Sequence, residues 1–289
     1  MFKPLHGIFK YSLIKYRLIK WNELVIWLAA ILVAILPLML IGEIVQNGIT
    51  NLSFNFLLNE PLNAGRRGGI FPLLVSTLWI LAICLAAVLP IGLGCALYLS
   101  ECLSINSPIS RCITLILDVL SGVPSIVFGL FGYAVFAIQL GLGFSILSGG
   151  LSLACMVLPL FIRTAEQALR ACPKTYRHAA EALDLSLFGF VRRILLPSAS
   201  LGIASALIIS IGRALAETAV LIFTAGYVTR MPESWMDSGR SLSVHIYDLS
   251  MNVPGGEQNA ATSALVLMLL IIAINIFAHK LSRRWKAQD

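Results

Sequence analysis

Charged side chains are scarce in this sequence. They make up 12% of 289 residues, about half the share of an ordinary soluble domain, which excludes a chain that solvates its whole surface. Catalytic signatures are missing as well. No GxxxxGK[ST], HExxH, GxSxG or GxGxxG occurs, so nucleotide hydrolysis, zinc proteolysis, serine hydrolysis and dinucleotide binding have no local motif. The four histidines (His6, His178, His245, His279) are scattered, and no nucleophile–base pair stands out. Cys84, Cys95, Cys102, Cys112, Cys155 and Cys172 include no CxxC pair, and none falls in an exterior loop. They are expected to be small apolar residues rather than disulfide or metal partners. No cofactor or metal is expected, and an enzyme is not. If ATP is used, another chain must hydrolyse it.

Apolar residues fill the gap: 58% of the chain is hydrophobic and the mean hydropathy is +0.88. Six runs are long enough to span a bilayer, over residues 24–46, 70–99, 113–138, 148–170, 198–226 and 261–280. They are too long for barrel strands and read as helices, with Pro37, Pro90, Pro124 and Pro159 as tolerated kinks. The expected class is an all-α membrane protein with six transmembrane helices. The first run exceeds the 7–15 residues of a signal h-region and no small-x-small site follows it, so it reads as an anchored span. With a cytoplasmic N-terminus, sixteen Lys and Arg fall inside and four outside (Arg66, Arg67, Arg230, Arg240). The positive-inside rule therefore puts both termini in the cytoplasm. Topology accounts for the net charge of +7, so no nucleic-acid partner is implied. Lys3, Lys10, Lys15, Arg17 and Lys20 suit contact with anionic lipid, on an interfacial helix or a flexible tail. The expected divisions are 1–23, a basic segment; 24–64, the first span and an exterior loop; 65–280, the remaining five spans; and 281–289, a tail.

Two charges interrupt the fifth run, "IGRALAETAVLIFTAG" (211–226), at Arg213 and Glu217. Four residues apart, they would share one helical face. A charge at bilayer depth costs about 2.5–3.5 kcal/mol on insertion scales, so such residues usually serve a pathway or a partner. Arg213 then has two readings. A guanidinium fork can hold an oxyanion, or an Arg–Glu pair can hold helices together. Arg163 closes the fourth run, as an interfacial anchor or a pathway residue. Asp118, Glu43 and Glu166 lie near span ends, where structural roles are expected. Ser121, Ser125 and Thr218 offer hydroxyls, to an oxyanion or to their own helices.

The loop "RTAEQALRACPKTYRHAAEALDLSLFGFVRRILLP" (163–197) is unusually structured for a membrane-protein loop. Pro173 can open a short helix at its first turn, and Ala179, Ala180, Ala182 and Leu183 continue it. Asp184 or Ser186 can stop that helix or cap the next one. Phe188, Phe190, Val191, Ile194 and Leu195 make the next turn apolar before Pro197. Two short helices at an angle would present an apolar knob, fitted to a partner's groove or folded on its own bundle.

This loop resembles the coupling motif of ABC importer permeases, E-A-A-x3-G-x9-I-x-L-P. Register on Ile194, Leu196 and Pro197 places the motif's alanines on Ala179 and Ala180. His178 then stands where the family has Glu, and Asp184 where it has Gly; Glu181, one turn on, can substitute for the former. Asp tolerates the left-handed turn better than most residues. "RGGIFPLLVSTLWI" (67–80), "SGVPSIVFGLFGYAVF" (121–136), "LPLFIRTAEQAL" (158–169), "IGRALAETAVLIFTAG" and the polar "RSLSVHIYDLSMNVPGG" (240–256) are similar to PstA-type permeases of phosphate-specific ABC importers. The resemblance implies a MetI-like permease fold in a bacterial inner membrane. It further implies a sister permease subunit, an ABC ATPase dimer gripping residues 163–197, and a phosphate-binding protein at the outer face. Arg213, Glu217, Arg163 and Thr218 become candidate phosphate-pathway residues. The alternatives are the sister subunit itself, a molybdate or sulfate permease, or, in another class, an ion-driven carrier or channel.

Overall fold

The computed structural model describes residues 6–286, with side chains described for residues 23, 25–173 and 175–280. Lys3 and residues 287–289 lie outside the described residues, as do the side chains of Lys10, Lys15, Arg17 and Lys20, so the lipid-contact expectation is untouched. The chain divides into two compact units, residues 1–47 and 48–289. The first is most of helix α1 (His6–Ile49), which carries Pro37 and holds 25 residues apolar enough to cross a membrane, Val25–Ile49.

Residues 48–64, grouped with the first span in the sequence reading, belong to the second compact unit. Ser53 caps the short helix α2 (Phe54–Leu58) by accepting from the Phe56 N–H at 3.2 Å. Phe56 is buried in one cluster with Ile70, Leu73, Leu242 and Val266. A two-residue antiparallel ribbon, β1 (Pro61–Leu62) against β2 (Arg67–Gly68), closes this clip.

The centre of the second unit is α6 (Ile146–Arg170). Two-thirds of its apolar window is buried, against a third for the span that begins with α3 (Phe71–Leu97), so α6 is the helix around which the others pack. The two meet closely because small residues leave room. A Cβ on Gly150 would come 2.6 Å from Ile83, and one on Gly92 would strike the Phe161 ring. Around this pair stand α9 (Leu196–Ala216) and α12 (Glu257–Lys286).

Two expected spans are not single rods. The run placed at 113–138 starts earlier, as α4 (Pro108–Ser121), and turns by 98° into α5 (Ser125–Gly132) and a π-helical continuation to Gln139. Pro124 lacks a donor and disfavours helical geometry at Val123, so the chain leaves the helix between Gly122 and Pro124. The run placed at 198–226 is helical from Leu187 to Ala216, breaks, and resumes as α10 (Ala219–Thr224). Neither Gly nor Pro stands at this second break; its cause is tertiary. The "polar exterior loop" 240–256 contains α11 (Leu242–Met251), whose Leu242, Val244, His245 and Leu249 are buried. The Ser243 hydroxyl donates to the Glu217 carbonyl at 2.7 Å, replacing a bond that a continuous helix would have made. The Leu242 N–H donates to Thr77 Oγ1 at 2.8 Å, tying α11 to α3.

Candidate functional site

The two breaks lie against each other. α5 packs on α10 so closely that a Cβ on Gly129 would stand 3.1 Å from the Ala219 carbonyl. Arg213 lies in the last turn of α9, and Glu217 follows as its C-cap in extended conformation (φ −75°, ψ 130°). That corrects the expectation of one helical face. Having left the helix, Glu217 makes no contact ion pair with Arg213, and Arg213 forms no hydrogen bond or ion pair among the described residues. The Glu217 carboxylate still lies within the field of the Arg213 charge, with Ser125 of the first turn of α5 beside it. Thr218 follows in the break, half-buried, its carbonyl accepting the Ile222 N–H at 3.0 Å. The junction thus gathers a half-buried guanidinium, a carboxylate, two hydroxyl residues and unwound backbone. Discontinuous helices use the same ingredients to hold ions inside a membrane.

Arg163 is not joined to this group by any hydrogen bond or ion pair among the described residues. Its Nε donates to Asp118 at 3.0 Å and its Nη1 to Glu166 at 2.9 Å. Glu166, only 5% exposed, also receives Arg170 Nε at 2.8 Å. Arg170 Nη2 in turn donates to the Leu99 carbonyl at 2.6 Å. Asp118 and Glu166 have the structural role expected of span-end carboxylates.

The 163–197 segment begins as the end of α6 and leaves it after Arg170. It contains α7 (Lys174–Ala182) and α8 (Leu187–Phe190), with Pro173 one position ahead of the first helix. Asp184 takes φ 51°, the left-handed turn expected there, and Ser186 caps α8 by accepting the Gly189 N–H at 3.2 Å. Ala180 is buried and Ala179 exposed. His178 and Glu181 are both about three-quarters exposed and 3.5 Å apart, so Glu181 shares the surface of position 178. The knob's exposed apolar side is Leu183, Leu187 and Phe188, whereas Phe190 and Leu195 pack on the bundle. Ile194, Leu196 and Pro197 are half-buried at the join to α9. Pro197 cannot donate to the Arg193 carbonyl, and the helix widens into a π-turn over Val191–Leu195 rather than breaking.

Sequence reasoning missed a buried link at the same end. Arg177 of α7 donates to Glu101 at 2.7 Å, and the Glu101 side chain is 6% exposed. Glu101 lies in the π-helical extension of α3, Tyr98–Cys102. A carboxylate straight after an apolar run was the signal, but its partner is 76 residues away.

At the opposite end, Arg240 pins the 226–256 segment. Its Nε donates to the Tyr227 carbonyl at 3.0 Å, its Nη1 to Asp248 at 2.8 Å, and it faces His245 Nδ1 at 3.5 Å. Gly65, at φ 90°, lets the clip close over the His245 ring, where a Cβ would stand 2.5 Å from Cε1. Burial, then the Arg240 charge, push His245 down to about 4, partly opposed by Asp248. The opened segment binds a proton that the packed one refuses. Stability from this group is therefore full above its ordinary 6.5 and falls as pH drops towards 4. At about 1.4 kcal/mol per pKa unit, the full loss is about 3 kcal/mol. Amide exchange in α11, corrected for intrinsic rate, should accelerate between about pH 7 and about pH 5, and His245→Gln should flatten that dependence. An unchanged slope in the variant would assign the effect elsewhere.

A family model described as "Binding-protein-dependent transport system inner membrane component" matches residues 86–287. The chain is 32% identical over 265 residues to the "Probable ABC transporter permease protein YqgI" of Bacillus subtilis (strain 168), covering 86% of this chain and 90% of that one. It is 33% identical over 212 residues to the "Phosphate transport system permease protein PstA" of Mycobacterium leprae (strain TN), covering 73% and 69%. Among solved structures, an inward-facing MetNI methionine ABC transporter chain superposes with a TM-score of 0.58 at 19% identity, over 74% of this chain and 96% of that one. That likeness confirms the MetI-like permease fold expected from the coupling motif. With apolar helices enough for a multi-pass protein and a match over more than two-thirds of its length, the chain belongs to the inner-membrane components of binding-protein-dependent transport systems, as a permease rather than an enzyme.

Proposed function

We propose that this permease carries inorganic phosphate inward, with the junction of the two broken spans as its oxyanion contact. The observation that carries the reading is Arg213, half-buried in the last turn of α9 with no hydrogen-bond or ion-pair partner among the described residues. A guanidinium held so is available to an anion, and phosphate is what the name of the Mycobacterium leprae relative specifies. Glu217 and Ser125 add discrimination: phosphate near neutral pH keeps a proton to donate to a carboxylate, whereas sulfate keeps none. Thr218 offers a second hydroxyl. Arg163 is left out of this junction because no hydrogen bond or ion pair among the described residues joins it there, and its Nε and Nη1 are held by Asp118 and Glu166.

The knob formed by α7 and α8, with Leu183, Leu187 and Phe188 exposed around Ala179, His178 and Glu181, seats in a cleft of an ABC ATPase. A sister permease subunit completes the pathway, and a phosphate-binding protein delivers at the outer face. Both termini lie in the cytoplasm. An ion-driven carrier would have no use for the knob.

The test is uptake of labelled phosphate into inner-membrane vesicles holding the chain with its ATPase, its sister permease subunit and its binding protein. ATP-dependent uptake that excess sulfate and molybdate leave intact is expected. Uptake that survives loss of the ATPase and collapses with the ion gradient, or that sulfate or molybdate suppresses, would overturn the reading.

A further inference from the structure

A cavity rich in arginine lies at the end of the bundle that carries the α7–α8 knob. It has a volume of about 270 Å³ and opens between α4 and α6, lined by Arg111, Arg163 and Arg170 with Ser110, Thr114, Gln167 and Glu166. That space is ample for a phosphate group with part of its hydration shell. Charge favours an anion there. Both Glu166 oxygens are already taken, Oε1 by Arg170 and Oε2 by Arg163, and Asp118 takes Arg163 Nε. Three guanidinium groups thus face two carboxylates that are already engaged, leaving a net +1. Free donors remain: Arg163 Nη2, Arg170 Nη1 and the whole Arg111 guanidinium bond to nothing among the described residues. Arg111 stands in the first turn of α4, where the helix dipole adds positive potential. Exposed Ile105 completes the lining.

We propose that this cavity binds a phosphate-type oxyanion, held by Arg111 against the Arg163–Glu166–Arg170 floor. The ligand is either the phosphate of an anionic lipid headgroup or free inorganic phosphate. Bound there, it braces α4, which leads into the first break, against α6, which leads into α7. The site is separate from Arg213 and does not depend on the transport reading.

The full chain with Arg213→Gln, which removes pathway binding, is placed in nanodiscs of phosphatidylcholine with or without phosphatidylglycerol. Native mass spectrometry reads retained phosphatidylglycerol, and equilibrium binding reads labelled inorganic phosphate. One or both probes should bind, and adding Arg111→Gln should weaken that binding at least about tenfold, the loss of one charge-assisted hydrogen bond. Arg66→Gln, which removes the same charge at the clip, should leave it unchanged. Phosphatidylglycerol retention alone assigns the site to a headgroup, and phosphate binding alone to the free ion. Neither probe bound above the Arg111→Gln level, or an equal loss with Arg66→Gln, would overturn the proposal. Because uptake is not the readout, failure here leaves the transport reading standing.

Discussion

If Arg213 is the phosphate contact proposed above, Arg213→Gln is expected to lower phosphate uptake by about 100-fold or more while subunit assembly and basal ATP hydrolysis persist. The magnitude follows from what a guanidinium gives an oxyanion. Two charge-assisted hydrogen bonds are worth about 1.5–3 kcal/mol each, and each 1.4 kcal/mol is about tenfold. The competing role for Arg213 is purely local: a cation in the last turn of α9 offsets the helix dipole and caps free carbonyls. That role is worth about 0.3–1 kcal/mol and a lysine fills it equally well. Arg213→Lys therefore separates the two. As an anion contact it loses the planar fork and recovers only part of the uptake; as a dipole cap it recovers nearly all. Glu217→Gln completes the comparison. Its amide can no longer take a proton donor as a carboxylate does, so sulfate should begin to compete with phosphate. Full uptake by Arg213→Gln, measured as initial rate per assembled complex, would remove Arg213 from the pathway.

How legible this site was depends on where each cause lies. The six apolar runs could be read because bilayer thickness imposes a length on the sequence itself. The Asp184 turn and the Ser186 cap could be read because both act on neighbouring backbone. Pro124 was legible only as a tolerated kink in one span, not as a 98° turn. The second break was hidden. Ala214, Ala216 and Ala219 favour helix, and the Ser243 hydroxyl, 26 residues on, offsets the cost of leaving it. Placing Arg213 and Glu217 on one helical turn was sound local reasoning; a contact that no period reveals takes Glu217 out of the helix, though it leaves the carboxylate in the field of Arg213. The same holds for α11: polar in sequence, it buries Ser241 and Ser243 as bonded hydroxyls rather than exposing them.

The missed Glu101–Arg177 link carries the other large effect. Arg177→Gln or Glu101→Gln should uncouple the transporter, with ATP hydrolysis persisting while phosphate uptake falls about tenfold or more. An exposed ion pair would be worth only about 0–1 kcal/mol, but Glu101 is 6% exposed and Arg177 30%. Removing one partner of such a pair strands the other, at about 3–5 kcal/mol, enough to free α7 from the end of α3. The position makes that loss mechanical. α7 belongs to the segment an ATPase would move, and its covalent path runs forward into α9 through the π-turn at Val191–Leu195. Arg177 gives it a second path, into the π-helical end of α3, where Arg170 also holds the Leu99 carbonyl. A push on α7 would then shift α3 and α9 together, and Thr77 and Ser243 carry both back to the Glu217 break. With the link cut, α9 moves alone and the junction fails to open in step. Combining Glu101→Arg with Arg177→Glu tests the pair itself: the exchange should restore part of the uptake that either single change removes. Parallel loss of assembly, hydrolysis and uptake in every variant would instead make the pair an ordinary fold contact.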